Sequence, residues 1–334
     1  MDPYDGKLAP KPFGLHNTGS ICYFNSLLQV LAGCTSVTKA VLAHADYLRG
    51  TTVGAALLEF FESFVELNAH QALVARREPS IGISFCSTKV CSALAQSLTA
   101  RRPDACFGAG QECVAEALVH LLDMLTPHSS GDPLGMLEMH TNPITSLFLH
   151  RFLCSTRCLV CKKDVSEEKD YAVHFNLFHF DSLAKPPSTS GEFSRALRLN
   201  VEQADDYYCD GCKLRGKACR IYKLSMVPEI LFCIFNLYVG YGGTRTARYF
   251  PQLIEIPALN GGGLLFQLIG QMEHSGGMHG GHHWARAQRA DGLVYTLNDT
   301  GYTLSDFEPT ANTYAVVYHY AGARPPADKT GGST

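Results

Sequence analysis

The sequence lacks blocks of like charge and long apolar runs. Lys and Arg number 28 and Asp and Glu 31, which gives a formal net charge of -3, and no five like charges are adjacent. Electrostatic nucleic-acid binders usually carry a clustered basic surface, so we expect no nucleic-acid partner. The longest apolar run, ILFCIF at 230–235, is far shorter than the roughly 20 residues that span a membrane. We therefore expect no membrane partner either.

We also expect no export signal. The opening stretch MDPYDGKLAPKP carries two acids and three prolines and has no apolar core, so it fits neither a signal peptide nor a membrane anchor. We expect a monomer in a reducing compartment, cytoplasmic, nuclear or both. There, the 13 cysteines, an odd number, indicate buried thiols, metal ligands or a reactive thiol rather than disulfides.

The chain divides into a helical first part and a strand-rich last part. Apolar residues at helical spacing in 51–68 and 111–127 predict two amphipathic helices that pack on a common core. Prolines and serines in 184–192 predict a loop, and 323–334 reads as a disordered tail. Short runs rich in branched and aromatic residues predict strands at 264–272, 283–288, 293–299 and 314–320.

Cys22 lies within GLHNTGSICYFNSLLQVL, residues 14–31, directly before apolar residues with helical spacing. Gly33 is a suitable stop signal, so Cys22 is predicted in or just before the first turn of a helix. Unpaired backbone N–H groups at a helix start stabilise a thiolate, which is the nucleophilic form of cysteine. On composition alone, a buried inert thiol is the more frequent alternative.

A nucleophilic thiol needs a base and an orienting group. HSGGMHGGHHWARAQRADGLVYTLND, residues 274–299, places two adjacent histidines at the start of one strand and LND at the end of the next. Neighbouring strands can bring His282 beside Asn298, so that the imidazole takes the Cys22 proton and the amide holds the ring. His282 and His283 point to opposite faces of a strand, so only one can meet Cys22. The alternatives for so many histidines are a metal site or a mobile polar loop.

Two CxxC pairs have the spacing of zinc knuckles. In a reducing compartment this pattern is a strong metal signal, and four thiolates leave no open position, so we expect a structural Zn²⁺. Scattered free thiols are the alternative. Cys154 and Cys219 lie nearby but are not assigned as ligands. The predicted ligands are Cys158, Cys161, Cys209 and Cys212.

These motifs resemble those of the ubiquitin-specific proteases. The Cys22 stretch is similar to the family's cysteine box, GLxNxGxTCYxNSxLQ, and departs from it at Ile21, where threonine is usual. Residues 274–299 resemble the histidine box, HxGxxxxGHYxAY followed by FND, with His283 and Arg286 in place of tyrosines. YYCDGC resembles the family's YxCxxC, and the resemblance extends from Phe13 to about Tyr320.

The resemblance implies an α+β, papain-like cysteine peptidase. Its catalytic domain would cover 13–322, between an N-terminal arm at 1–12 and the tail at 323–334. The implied subdomains are a thumb at about 13–130, a palm at about 131–153 and 238–322, and zinc-bearing fingers at about 154–237. The implied reaction is thiol-dependent hydrolysis of the peptide or isopeptide bond after the C-terminal Gly-Gly of ubiquitin, through an acyl-enzyme.

The resemblance also assigns roles to residues. Cys22 would be the nucleophile, His282 the general base and Asn298 the orienting member. Asn17 would donate to the oxyanion, and Asp299 would support the third member. A catalytically weak ubiquitin-binding scaffold is an alternative, which the retention of the triad disfavours.

QECVAEALVHLLDML, residues 111–125, resembles the family's QQDAxEFLxxLLDxL. The acids of that motif imply contacts with arginines in the ubiquitin tail, so Gln111, Glu112 and Glu116 are expected to bind substrate. Periodicity alone makes Glu112, Glu116 and Asp123 a solvated helix face. Cys113 stands in place of the usual aspartate, which keeps a ubiquitin-like modifier open as the substrate.

Overall fold

The computed structural model describes residues 12–74, 84–85, 87–101, 112–125, 142–178, 180, 185–237, 245–258, 262–277 and 280–325. The fold is α+β, as predicted. The chain separates into two compact units. Unit one comprises Met1–Leu147, Leu237–Arg248 and Ile269–Val317, and unit two comprises Phe148–Asn236, Tyr249–Leu268 and Tyr318–Thr334. This division does not test the thumb, palm and fingers boundaries, which stay a prediction.

The first part of the chain is helical, as the apolar spacing predicts. Every residue of the first helix except its last, Gly33, is buried, so this helix lies inside unit one rather than on its surface. The described helices of unit one are α1 (Cys22–Gly33), α2 (Thr35–Ala43), α3 (Ala45–Leu48), α4 (Thr52–Val74), α5 (Thr88–Arg101) and α6 (Val114–Met124).

The two helices predicted from their amphipathic spacing are confirmed as α4 and α6. Phe60, Phe61 and Phe64 of α4 are buried, as are Leu118 and Leu121 of α6. Burying each such side chain contributes about 1.5–3 kcal/mol relative to leaving it exposed. The helical pattern at 111–127 begins later than predicted, because the residue before α6 has extended backbone.

A sheet occupies the last part of the chain. β10 (Gly263–Gly277), β11 (Gly280–Gln288), β12 (Val294–Asn298) and β13 (Gly301–Ser305) pair in sequence and antiparallel, with β14 (Thr313–Arg324) on the other side of β10. The four predicted strands are therefore confirmed. β1 (Gly14–Leu15) pairs parallel with β2 (Ser84–Phe85), and the backbone N–H of Leu15 donates to Asp299 O at 2.7 Å.

Unit two contains a four-stranded antiparallel sheet in the order β4-β3-β7-β6. A parallel pair, β5 with β8, has both faces of β8 buried, and β9 pairs with the start of β10. The bounds are β3 (His150–Cys158), β4 (Asp164–Ala172), β5 (Phe175–Asn176), β6 (Leu199–Tyr208), β7 (Arg215–Met226), β8 (Ile230–Ile234) and β9 (Leu253–Pro257).

The predicted loop at 184–192 is wrong at its end, because helix α7 (Ser190–Arg198) begins there. Thr189 Oγ1 accepts from the Glu192 N–H, and the Glu192 carboxylate accepts from the Ser188 N–H at 2.8 Å. This reciprocal arrangement resembles a capping box. It supplies acceptors for backbone N–H groups at the start of α7 that have no acceptor within the helix.

The predicted tail is also shorter than its composition indicates. β14 continues to Arg324, and its guanidinium donates to Glu255 Oε1 at 2.6 Å. Residues 326–334, and nearly all of the predicted arm at 1–12, lie outside the described residues. Among the described helices, no single one is long and apolar enough to cross a membrane; α1 and α2 pass only as a pair, bent by 87°.

Candidate functional site

Cys22 is the first residue of α1 and is 2% exposed. The loop before it contains two residues with left-handed backbone, Gly19 at φ 124° and Ser20 at φ 52°. This loop turns the chain so that the helix begins at Cys22. The backbone N–H groups at the start of a helix point away from the rest of the helix. The Cys22 Sγ accepts from the backbone N–H of His283 at 3.5 Å. The structure therefore brings the cysteine box and the histidine box together.

His282 faces Asn298 across β11 and β12. Its Nε2 lies 2.6 Å from Asn298 Oδ1. Because the amide oxygen only accepts, Nε2 carries the proton of this hydrogen bond and Nδ1 is left as the nitrogen with a lone pair. That tautomer is the one that a general base requires. The predicted pairing of these two side chains is thus present.

His283 points to the opposite face of β11 and is buried among rings. Its imidazole lies 4.3 Å from that of His274 and 6.0 Å from the Tyr314 ring, measured between centroids. Burial lowers the pKa of His283 to about 3 and also lowers the pKa of His274. Both rings are therefore neutral at pH 7, and the contact of His283 with Cys22 is made by its backbone N–H.

Asp299 joins three separate segments. Its Oδ2 accepts from Asn17 Nδ2 at 3.2 Å, and its Oδ1 accepts from Asn25 Nδ2 at 3.4 Å. The same carboxylate lies 3.9 Å from His282 Nε2. Asp299 has a left-handed backbone, φ 47°, in the two-residue turn between β12 and β13. The turn therefore aims the carboxylate at the loop before Cys22 and at the first turns of α1.

Asn17 shapes that loop. Its Oδ1 accepts from the N–H groups of Gly19 at 3.2 Å and Ile21 at 3.3 Å, while its Nδ2 donates to Asp299. The loop is also held from α5, where Thr88 Oγ1 lies 2.8 Å from Thr18 Oγ1. Asn17 thus shapes the loop that leads to Cys22, and both ends of its amide make hydrogen bonds.

Two buried polar groups support the site without having been assigned roles from the sequence. Asn25 donates to His16 O at 3.3 Å as well as to Asp299, and its Oδ1 accepts from Ser87 Oγ. Arg289 donates to the Gln29 backbone oxygen at 2.9 Å and to its side chain, which fixes α1. A polar residue inside an otherwise apolar helix was the available signal, because buried amides need partners.

The three residues expected to bind substrate differ in their positions relative to α6. Glu116 is exposed in the first turn of α6. Glu112 lies before the helix rather than on it, since Cys113 is the N-cap with extended backbone. Cys113 Sγ lies 2.8 Å from Tyr314 OH, and Asp123 is paired with Arg101 at 3.5 Å. Gln111 lies outside the described residues.

The four predicted metal ligands come together in unit two. Their sulfur atoms all lie within 4.8 Å of one another. The Sγ atoms of Cys158 and Cys212 are 4.0 Å apart, and those of Cys161 and Cys209 are 3.9 Å apart. Tetrahedral zinc with Zn–S bonds of about 2.3 Å requires sulfur separations of about 3.8 Å. The four thiols therefore fit Zn²⁺, while Cys154 and Cys219 lie outside the cluster.

The two knuckles have the same backbone. In each, the residue after the second cysteine is left-handed, Lys162 at φ 62° and Lys213 at φ 59°. Their N–H groups donate back to Cys158 O at 2.8 Å and Cys209 O at 2.7 Å. Hydrogen bonds from the backbone N–H groups of Cys161 and Val160 lower the pKa of Cys158 to about 7. This favours the thiolate form that binds metal.

Known proteins match this chain over nearly its whole length. A family model described as ubiquitin carboxyl-terminal hydrolase matches residues 13–320. Ubiquitin carboxyl-terminal hydrolase 17-like protein A of Mus musculus is 22% identical over 326 residues, which cover 92% of this chain and 56% of that protein. Ubiquitin carboxyl-terminal hydrolase 36 of Drosophila simulans is 24% identical over 355 residues, which cover 96% of this chain and 33% of that protein.

A solved structure has a similar fold. The SAGA DUB module of Ubp8, Sgf11, Sus1 and Sgf73 bound to monoubiquitin contains a chain with a TM-score of 0.65 and 14% identity, over 96% of this chain and 71% of that one. This likeness shows the fold alone. The chain spans about half the length of the two 17-like relatives, 56% of protein A and 63% of protein B, and a third of the Drosophila protein.

Proposed function

Because the chain belongs to the ubiquitin carboxyl-terminal hydrolase family, we propose that it is a thiol-dependent deubiquitinase. It hydrolyses the peptide or isopeptide bond that follows the C-terminal Gly-Gly of ubiquitin. One observation carries this proposal: Cys22, at a helix start, contacts the backbone of β11 directly beside His282, whose Nε2 is hydrogen-bonded to Asn298.

The reaction proceeds in two stages. The Cys22 thiol passes its proton to His282 Nδ1, and the thiolate attacks the carbonyl of the last glycine. Asn17 donates one Nδ2 hydrogen to Asp299, and we assign the other to the oxyanion that forms. His282 then protonates the leaving amine as the C–N bond breaks, which leaves ubiquitin as a thioester on Cys22.

The second stage releases ubiquitin. His282 takes a proton from water, the hydroxide attacks the thioester carbonyl, and the C–S bond breaks as His282 returns that proton to the sulfur, which regenerates the Cys22 thiol. Asn298 holds the imidazole in the tautomer with Nε2 protonated throughout. The Asp299 carboxylate, 3.9 Å from that nitrogen, supports the imidazolium that forms transiently.

The cysteine cluster is proposed to hold a structural Zn²⁺. Bound zinc would cross-link the two knuckles and supply folding free energy rather than a reaction step, because four thiolates close its coordination sphere. We also propose that the protein acts as a monomer in the cytoplasm, the nucleus or both.

Ubiquitin is the proposed substrate because of the acids at α6. Glu116 is exposed in the first turn of α6, and Glu112 lies just before the helix. We propose that both acids face arginines of the ubiquitin tail. A second candidate, a ubiquitin-like modifier, is favoured by one observation: the position of the usual aspartate is a thiol that contacts Tyr314.

The test uses ubiquitin carrying a C-terminal thiol-reactive group. We expect one covalent adduct per chain, located on Cys22 by peptide mass spectrometry, and no adduct after Cys22→Ala. Labelling by ubiquitin is expected at least about tenfold faster than by probes built on ubiquitin-like modifiers, the value of one charge-assisted bond. Equal or faster labelling by another modifier would reassign the substrate, and an adduct on a different cysteine would reassign the nucleophile.

A further inference from the structure

Trp284 lies beside the proposed base and is the only tryptophan of the chain. The centroid of its indole is 6.2 Å from that of the His282 imidazole, and the two rings are inclined by only 22°. Aromatic pairs interact favourably in offset stacks with centroids about 4.5–7 Å apart. The indole is therefore a stacking partner of the imidazole.

The strand register places Trp284 on the same face as the triad side chains. Side chains alternate along a strand, so His282, Trp284 and Arg286 share one face of β11. Arg286 pairs with Thr296 of β12, and alternation along β12 places Asn298 on the face of Thr296. The indole thus lies on the face that carries the His282–Asn298 hydrogen bond.

A buried carboxylate fixes the indole. Glu273 is 1% exposed, and its Oε2 accepts from Trp284 Nε1 at 2.5 Å. Its Oε1 accepts from Thr310 Oγ1 at 2.5 Å and from Gln271 Nε2 at 3.3 Å. Arg286 Nε lies 3.5 Å from Oε2. Burying a carboxylate costs several kcal/mol unless its partners compensate, and here four groups surround it.

We propose that Trp284 is a positioning residue for His282 and that Glu273 holds the indole in place; this rests on the proposed function. The His282 side chain is 39% exposed, so packing from the rest of the protein restrains it only in part. The stacked indole limits rotation of the imidazole and keeps water from one side of its hydrogen bond to Asn298. Trp284 touches neither the thiol nor the bond that breaks.

Kinetics of four variants test this role with a ubiquitin C-terminal amide substrate. Displacing a catalytic group by about 1 Å can cost about a hundredfold in rate, so Trp284→Ala is expected to lower kcat roughly tenfold to a hundredfold while KM changes less than about twofold. Trp284→Phe keeps a ring without the N–H and should lose roughly three- to tenfold, the value of one hydrogen bond.

Glu273→Gln should resemble Trp284→Phe, because it weakens the acceptor of the indole N–H. Glu308→Gln is the matched control. It removes the same charge and another partner of Arg286, but from an exposed side chain that accepts from Arg286 at 2.8 Å. Its kcat is expected to stay that of the parent protein. Equal losses in Glu273→Gln and Glu308→Gln would overturn the assignment of Glu273.

Fluorescence tests the contact without any ubiquitin. As the only indole of the chain, Trp284 reports its own surroundings, and its emission at one fixed pH is expected to shift when His282→Gln removes the stacked imidazole. An indole with no contact to that ring would give the same emission spectrum in both proteins.

The two assays separate the possible failures. An inactive parent protein whose emission shifts in His282→Gln would refute the deubiquitinase proposal and keep the ring contact. An active parent protein with unchanged kcat in Trp284→Ala, or with the same emission in His282→Gln, would overturn the positioning role alone.

Discussion

The candidate catalytic cluster and the cysteine cluster are each built from a few side chains, but their parts meet in different ways. The Asn17–Asp299 hydrogen bond joins residues 282 positions apart, and the His283–Cys22 contact joins residues 261 apart. Each cysteine pair instead lies in one tight turn, closed by local backbone bonds to Lys162 and Lys213. Only the meeting of the two turns is a long-range event.

Because of this difference, we expect substitutions in the two clusters to affect different properties of the protein, the catalytic rate in one case and the folding stability in the other. In the catalytic cluster the surrounding helix and sheet fix the geometry, so removing one reactive atom leaves their packing in place. In the cysteine cluster the turns are preset locally, and a metal ion would supply the link between them. Substitutions in the first cluster should therefore act on turnover, and those in the second on folding.

The largest expected effect is that of Cys22→Ala. Loss of the sulfur should abolish ubiquitin cleavage, while the free energy of unfolding changes by less than about 2 kcal/mol, because only one small buried side chain is trimmed. Turnover and denaturant unfolding measure the two quantities. Cys34→Ala, a buried cysteine in the same unit, is the control that should keep full activity. Residual turnover in Cys22→Ala would remove it as the nucleophile.

Zinc removal should lower the stability of the protein first and its activity only as a consequence. Elemental analysis is expected to find one zinc per chain, and chelation or Cys209→Ser should lower the free energy of unfolding by several kcal/mol, since zinc-finger peptides bind zinc with about 10–16 kcal/mol. Activity should fall only as unit two unfolds. Cys219→Ser, on the neighbouring strand β7, is the control. A metal-free protein of unchanged stability and full activity would contradict this prediction.

The adjacent histidines sharpen the comparison within unit one. His282→Ala should lower kcat by roughly two to four powers of ten, the usual contribution of a general base. His283→Tyr should be tolerated, because that ring packs on the other face against His274 and Tyr314. Steady-state kinetics of both variants provide the test. A larger loss in His283→Tyr would exchange their roles.

Charge at α6 should affect substrate choice more than turnover. Glu116→Arg is expected to narrow the preference for the ubiquitin probe by roughly ten- to a hundredfold, since a charge-assisted pair contributes about 1.5–3 kcal/mol. Asp123→Arg, later on the same helix, breaks a pair with Arg101 and should leave the preference unchanged. Relative labelling rates of ubiquitin and ubiquitin-like probes measure both. Equal shifts in the two variants would exclude a specific contact at Glu116.

The smallest effect concerns acid stability in unit two. Burial lowers the pKa of His150 to about 4, and its ring is stacked on Phe175 at 3.8 Å. A histidine in an unfolded chain titrates near pH 6.5. Between about pH 6.5 and 4, His150 is therefore protonated in the unfolded protein and neutral in the folded protein. The free energy of unfolding should therefore fall with falling pH, by up to about 1.4 kcal/mol per pH unit from this residue.

His150→Phe should remove that contribution and keep the stacking. Between pH 6.5 and 5, its free energy of unfolding should fall by about 1.6 kcal/mol less than that of the parent protein. Denaturant unfolding of both proteins at several pH values measures the two slopes, and identical slopes would show that His150 does not titrate as described.

Short sequence patterns predicted several of the helices, strands and turns. The spacing after Cys22 and the stop at Gly33 predicted α1, and strand alternation separated His282 from His283. The CxxC spacing predicted the cysteine cluster because each pair is a local turn. Sequence patterns of this kind report which face of an element is apolar and where it ends.

The remaining features depend on partners distant in sequence. Asn25 was readable as part of a motif, but its bond to Asp299 exists only once α1 meets the β12–β13 turn. The buried carboxylate of Glu273 is likewise stabilised by groups on other segments. Glu112 was misplaced because the backbone at Cys113 is extended, so α6 starts at Val114. Pattern alone does not show at which capping residue a helix starts.

The order of the catalytic parts along the chain has a consequence for synthesis. A ribosome adds about 5–20 residues per second, so Cys22 emerges roughly 15–60 seconds before the residue that ties its loop to the end of the sheet, 282 positions after Asn17. Until residues 282–298 have been made, the thiol has neither the proposed base nor the proposed orienting amide. We therefore expect a nascent chain to be inert toward substrates, and a fragment from translation that stops before Asp299 to lack the assembled site.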